Sequence, residues 1–261
     1  MPRSANPVAD FTTGAVCALR GFSLLRDPAL RRLAVWPVII NVFVIVGLLG
    51  VFGWQLDHWL DAWVGALPGW LDWLGALLWV VGLLLALVFF AFVFVILANL
   101  IAAPFTPFLS ARVEDRYGNG VPESRHGMVG EISDAVASEI KRLMYYATRA
   151  LLLLLVTFVI GFIPVVNLLV GPMWLGFGAL MVAFEYLDEP LGNRGMSFDK
   201  KTAFLRSHAM RHIGFGSVIM GLTLLPLVNL VVMPAAVIGA TVMYLETAGE
   251  LRRGFAIRLR D

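Results

Sequence analysis

Two long uncharged runs, residues 33–56 and 74–103, set the first limit on what this chain can fold into. A helix needs about 20 consecutive apolar residues to cross a bilayer, and each run exceeds that. Soluble domains carry about 25% charged residues; this chain carries 15%, against 59% hydrophobic. Too little polar surface remains to cover a soluble fold, so an all-α integral membrane protein is expected. The second run is longer than a span requires and should tilt or project from the membrane. Pro104 and Pro107 should end it, because proline lacks the N–H and clashes with the preceding turn. Asn41 and Asn99 lie within these runs and suit helix–helix hydrogen bonding.

Charge placement gives the orientation. Between the runs, "DHWLDAWVGALPGWLDW" carries Asp57, Asp61 and Asp72 and, with Trp54, five tryptophans, but no lysine or arginine. That is the pattern of an interfacial aromatic belt. All 20 basic residues fall elsewhere, in the N-terminal segment and in segments 112–149, 194–211 and 252–260. The positive-inside rule makes those four segments cytoplasmic, with both termini inside and the tryptophan-rich loop outside. No cleavable signal peptide is expected, since the first apolar run follows a partly polar, arginine-containing segment. The single cysteine, Cys17, excludes an internal disulfide.

If the basic segments share one side, each apolar stretch between them must enter and return. The arms 151–163 and 213–225 are short for full spans, a length that suits re-entrant segments. The two stretches also repeat: "IPVVNLLVGP" (163–172) aligns with "LPLVNLVVMP" (225–234), matching Pro164 to Pro226, Asn167 to Asn229 and Pro172 to Pro234. Each tip is broken by proline and carries an amide but no charge. Irregular backbone at membrane depth is tolerated beside protein or a water-filled cavity, and repeated broken helices point to transport sites. An ordinary helix pair with a short outer turn remains the alternative.

The expected fold is two full transmembrane helices, two proline-broken re-entrant hairpins (149–188 and 212–247) and an N-terminal interfacial helix. These form a single membrane domain, 1–261, divided into 1–27, 28–107 and 108–261. In the N-terminal helix, Val8, Phe11, Ala15, Leu19 and Phe22 form one apolar stripe, suited to lying in the interface. Segment 112–149 reads as solvated helix running straight into the first hairpin arm. After the turn "DEPLGNRGMSF", Ser197 could cap a cytoplasmic helix with Asp199 in its first turn.

Enzyme signatures are absent: there is no H-E-x-x-H, P-loop or G-x-S-x-G. No catalytic residue, cofactor, metal, nucleotide or nucleic-acid partner is expected. His208 and His212 share a helix face, but Arg206 and Arg211 disfavour a cation there, so that face reads as basic and solvated. His58 and His126 are isolated. Glu185 and Glu246 occupy equivalent ends of the two repeats. Ionisable residues near membrane depth suggest gating or proton coupling, although solvation or pairing with arginine also fits.

The stretch "GFSLLRDPALRR" is the most informative. Asp27-Pro28 reads as an N-cap followed by proline at the first helical position, which puts Arg31 and Arg32 near the start of the first span. A helix N-terminus gathers unpaired N–H groups and partial positive charge, and so attracts anions. Basic residues there oppose the dipole, a conflict an oxyanion would relieve, since guanidinium forks match it. A plain charged collar around a membrane helix is the other reading.

"GFSLLRDPALRR" followed by "WPVIIN", the turn "EYLDEPLGNRGMSF" and the tip "LPLVNLVVMPAAVIGAT" together resemble the CysZ-type sulfate permeases of bacterial inner membranes. The resemblance covers nearly the whole chain; Glu189 and Gly192 are its small departures within the turn. It implies sulfate uptake for cysteine biosynthesis, two spans with two partial hairpins, and a homo-oligomer among membrane lipids. It also implies that sulfate is held by backbone amides of Gly21, Phe22, Ser23, Leu24 and Leu25 and by Arg31 and Arg32. Phe22 and Leu25 stand where leucine and isoleucine are commoner in the family.

The pathway would run between the hairpins past Asn167 and Asn229, with channel-like and proton-coupled transport both open. On this topology the binding residues face the exit side of an importer, which suits release or sensing. A membrane-shaping, lipid-binding scaffold without transport is the competing function.

Overall fold

The computed structural model describes residues 6–64, 72–102, 105–121 and 128–252. Its elements are helical: α1 (Pro7–Leu24), α2 (Pro28–Val64), α3 (Asp72–Ala102), α4 (Phe105–Tyr117), α5 (Met128–Gly161), a 3-10 turn (Val166–Leu169), α6 (Val170–Asn193), α7 (Phe198–Ser207), α8 (Ala209–Thr223) and α9 (Pro226–Ala248). There is no strand among the described residues. Among the described residues, four stretches are long and apolar enough to cross a membrane: Pro28–Gln55, Glu139–Gly161, Val166–Asn193 and Val231–Ala248. This is a multi-pass membrane protein.

The chain divides into two compact units, Val35–Phe105 and the remainder. In the first, α2 and α3 meet at Phe52 and Phe90, whose ring centroids are 5.6 Å apart. Val42, Phe43, Leu84, Leu85, Val88 and Phe89 are exposed, as lipid-facing side chains are. The α2 helix continues past the expected end of the span to Val64, so Trp54 to Trp63 are helical. Pro107 does not terminate α3; α3 ends at Ala102 and Pro107 lies in the first turn of α4, where its missing N–H costs nothing. Pro104 lies outside the described residues, as do the side chains of Asn41 and Asn99.

In the other unit α9 is the central helix. Of its membrane-length window 72% is buried, against 6% for that of α5. Its contacts come from α1, α6 and α8. The helix α1 presents Gly14, Cys17, Ala18 and Gly21 inward, and there the backbones touch. A Cβ on Gly14 would lie 1.8 Å from the carbonyl oxygen of Arg211, and one on Gly21 2.0 Å from that of Ala235. Small residues at such crossings let helices approach closely. The stripe read from periodicity is not this face: Val8 is 67% and Leu19 54% exposed. Thus α1 docks through small residues, with Val8, Val16 and Leu19 directed elsewhere.

The hairpins differ in their arms. As anticipated, α8 is short, at 15 residues. The first arm belongs to the continuous 34-residue α5, as the stretch 133–150 running straight into it foretold. At the first tip, Phe162, Val165 and Leu168 are exposed, and Val165 has φ 70°. That conformation is unfavourable for a β-branched residue.

Candidate functional site

The region between α1 and α2 is organised by Asp27. The turn closes through Leu25 N–H to Gly21 O (3.3 Å), Arg26 N–H to Ser23 O (3.2 Å) and Asp27 N–H to Leu24 O (3.0 Å). The amides of Gly21, Phe22, Ser23 and Leu24 lie within α1. At the start of α2 the side chain of Asp27 accepts from Ala29 N–H at 3.1 Å. Its carbonyl accepts from Leu30 N–H (3.1 Å) and Arg31 N–H (2.8 Å). The N-cap read from Asp27-Pro28 is therefore formed, and the carboxylate itself satisfies the helix terminus.

The other oxygen, Oδ2, accepts from Tyr117 Oη at 2.8 Å and pairs with Arg116 Nε. Burial pushes the Asp27 carboxyl up. The Tyr117 and Ala29 hydrogen bonds and the Arg116 charge outweigh it and hold the group below its ordinary range. Arg252 secures the same corner, donating from its N–H to Tyr117 O at 2.9 Å and from Nε to Gly118 O at 2.7 Å.

With that seat filled, the cations nearby remain unspent. Arg26, Arg31 and Arg32 are exposed, and none forms an ion pair or side-chain hydrogen bond with another described residue. Phe22, Leu24 and Leu25 are half-buried against the core, Ser23 is exposed and Gly21 is buried. Arg31 and Arg32 follow the Gly21–Leu25 stretch along the chain by one short turn, and the amides of that stretch are engaged in or at the end of a helix.

The other candidates lie apart from this cluster. Asn167 is exposed in the 3-10 turn, its N–H donating to Ile163 O at 3.1 Å. The side chain of Asn229 lies outside the described residues. Glu185 is exposed on α6. Glu246 on α9 pairs with Arg20 and accepts from Cys17 Sγ, both at 3.4 Å, so it joins α9 to α1. None of the three described residues bonds to Arg31 or Arg32.

Sequence reasoning missed the buried charges. Glu114, in a segment read as solvated, is completely buried, and Arg194 Nη2 lies 2.8 Å from Glu114 Oε2 and 2.6 Å from Glu250 Oε2. Arg194 also lies over the Tyr244 ring, 4.9 Å from its centroid. Burial raises the Glu114 carboxyl, and Arg194 only partly offsets this. A second cluster joins α5, α6 and α7: Asp188 takes Lys201 at 2.7 Å and Arg142 at 3.4 Å. Asp188 and Arg194 both lie in "EYLDEPLGNRGMSF", the one available signal. The Ser197 cap makes no side-chain bond.

The solvated histidine face is also corrected. His212 is buried, its Nδ1 2.8 Å from Leu205 O, because α8 turns that face toward Phe204, 5.5 Å away between centroids. No group of metal-ligating side chains occurs among the described residues.

Residues 17–234 match the family described as sulfate transporter CysZ/etoposide-induced protein 2.4. A protein named sulfate transporter CysZ from Pseudomonas aeruginosa (strain LESB58) is 38% identical over 233 residues, covering 88% of this chain and 93% of that protein. Its namesake from Pseudomonas fluorescens (strain Pf0-1) is 36% identical over 232 residues, covering 88% and 91%. That from Pectobacterium atrosepticum is 34% identical over 253 residues, covering 94% and 89%.

Proposed function

The chain belongs to the sulfate transporter CysZ/etoposide-induced protein 2.4 family, a family of transporters and not of enzymes, and from that premise we propose that it imports sulfate across the bacterial inner membrane for cysteine biosynthesis. The observation that carries this reading is the pair Arg31 and Arg32, exposed and without a carboxylate partner among the described residues at the head of the first span. A guanidinium pair matches the tetrahedral oxygens of a dianion and offers charge-assisted hydrogen bonds. Gly21, Phe22, Ser23, Leu24 and Leu25 form the wall beside them. Because their amides serve α1, the arginines are the principal attraction in this reading.

The architecture that goes with it has α2 and α3 as full spans. The hairpins α5–α6 and α8–α9 enter from the cytoplasmic side and turn within the membrane, and both termini are cytoplasmic. The exposed apolar side chains at the first tip support that placement, since such a surface is costly in water. The route passes Asn167 and Asn229 in a homo-oligomer, and Glu185 and Glu246 are the candidates for gating.

The test is radiolabelled sulfate flux into liposomes carrying the purified protein, with and without a pH gradient. Uptake above protein-free vesicles, lost in Arg31→Ala/Arg32→Ala, is expected. Flux no faster than in empty vesicles at every gradient would overturn the proposal. Anion-indifferent binding in the same preparation would favour a lipid-binding scaffold.

A further inference from the structure

We propose that Arg149 and Arg206 hold the phosphate of an anionic phospholipid, whose acyl chains lie along the outward face of α5. This holds whichever anion the protein carries. The two guanidinium groups share one aromatic platform: their central carbons lie 5.3 Å and 5.7 Å from the Tyr145 ring centroid, within cation–π range. The ring is fixed in turn by edge contacts to Phe184 at 6.1 Å and Phe198 at 6.0 Å. Arg149 comes from α5 and Arg206 from α7, so the platform joins two elements. Both arginines are exposed and have no ion pair among the described residues. Of the acids around the adjacent Tyr146, Glu139 and Asp188 are taken by Arg142 and Lys201, and the exposed Glu185 pairs with neither Arg149 nor Arg206 among the described residues.

The internal repeat sets Arg149 against a counterpart. In the alignment that matches Pro164 to Pro226, Ala147-Thr148-Arg149 falls on Ala209-Met210-Arg211. Arg211 is neutralised inside the protein by Asp10 at 3.4 Å and donates a hydrogen bond to Thr247 Oγ1 at 3.0 Å. Arg149 has no such internal partner among the described residues, so its anion comes from outside. The next turns of α5 select the source. Leu152, Val156 and Val159 continue the side of the helix that carries Arg149 and are 50%, 48% and 63% exposed. A free anion would use only the cations. A phospholipid uses both the cations and the apolar strip, and basic residues next to a membrane surface attract anionic lipid.

The experiment is native mass spectrometry of the full-length protein titrated with phosphatidylglycerol, with phosphatidylcholine as the uncharged comparison. The wild type is expected to retain phosphatidylglycerol selectively, and Arg149→Gln/Arg206→Gln to weaken that retention by roughly tenfold or more. Lys141→Gln/Lys200→Gln removes the same charge from exposed positions on the same two helices and should leave retention unchanged. Equal retention by the arginine variant, or equal loss in the lysine variant, would overturn the proposal. So would displacement of the lipid by millimolar inorganic phosphate or sulfate, which would mark a free-anion site. A measurement on the unaltered protein guards against misfolding of the variant. Photoreactive phosphatidylglycerol should label peptides spanning 145–160 or 198–207, and labelling confined to other peptides sinks the idea.

Discussion

Arg194 holds a carboxylate that solvent never reaches: its Nη2 lies 2.8 Å from Oε2 of Glu114, with Glu250 Oε2 on the same nitrogen at 2.6 Å. One guanidinium thus binds together α4, the turn after α6 and the segment after α9. Removing one partner of a buried pair leaves a charge uncompensated, at a cost of about 3–5 kcal/mol. Arg194→Met should destabilise the detergent-solubilised protein by about that much in chemical denaturation. Glu114→Gln, which leaves Arg194 still paired with Glu250 at 2.6 Å, should cost less. Equal losses in the two variants would refute this account.

The pH dependence of Glu114 has a definite sign. Its carboxyl is raised from 4.5 by burial, so the folded state binds more protons than the unfolded one between the two values. Its stabilising contribution is complete below about 4.5 and is lost as pH rises through the raised value. Glu114→Gln should abolish that decline in a stability-against-pH series.

Asp27 has the opposite sign. Its carboxyl is held below 3.8, so it contributes stability above that value and loses it as pH falls through the lowered one. Asp27→Ala also removes the cap of α2, at about 1 kcal/mol. Asp27→Asn should keep most of the cap and lose the acid-side dependence, read by thermal unfolding between pH 3 and pH 6.

At Gly14 and Gly21 the α1 seam should tolerate no side chain. Gly21→Leu drives carbon into the Ala235 carbonyl, 2.0 Å from the Cβ position. The loss should reach or exceed the ~3 kcal/mol upper end of ordinary overpacking, seen as aggregation on size exclusion. Gly47→Ala, with nothing within 4 Å of its Cβ, should leave the elution profile unchanged.

The tip of the first hairpin can be located by thiol labelling. The native thiol of Cys17 is buried and pushed up to about 12 by burial and by Glu246, so it contributes little background. An Asn167→Cys variant should resist a membrane-impermeant maleimide applied from the periplasmic face of cells. Labelling as fast as a free thiol would convert the hairpin into an ordinary pair of spans.

Some of the arrangement was legible because it is local. Asp27-Pro28 announced a capped helix, and the cap is formed. The uninterrupted pattern into residue 161 announced a continuous α5. Glu114 and His212 were not legible: the one sits among charged neighbours and the other among basic residues, yet both are completely buried. The partner of Glu114 is Arg194, 80 positions away, so nothing near it records its burial; His212 is covered by Leu205 and Phe204 of the preceding helix, which requires the turn between α7 and α8. The arginines of the candidate site could be named from the motif, but that Asp27 already fills the helix terminus beside them required the tertiary contacts of Tyr117 and Arg116.

Sequence alone determined that this chain lives in a membrane, where α2 and α7 begin and which segments repeat, because those properties depend on neighbours along the chain. The folded structure decided which face of each helix turns inward. Lipid and protein core are both apolar, so a stripe of large side chains cannot tell one from the other. On α1 the choice fell to Gly14, Cys17, Ala18 and Gly21, the residues small enough to let backbones touch, and that is settled only where α8 and α9 arrive.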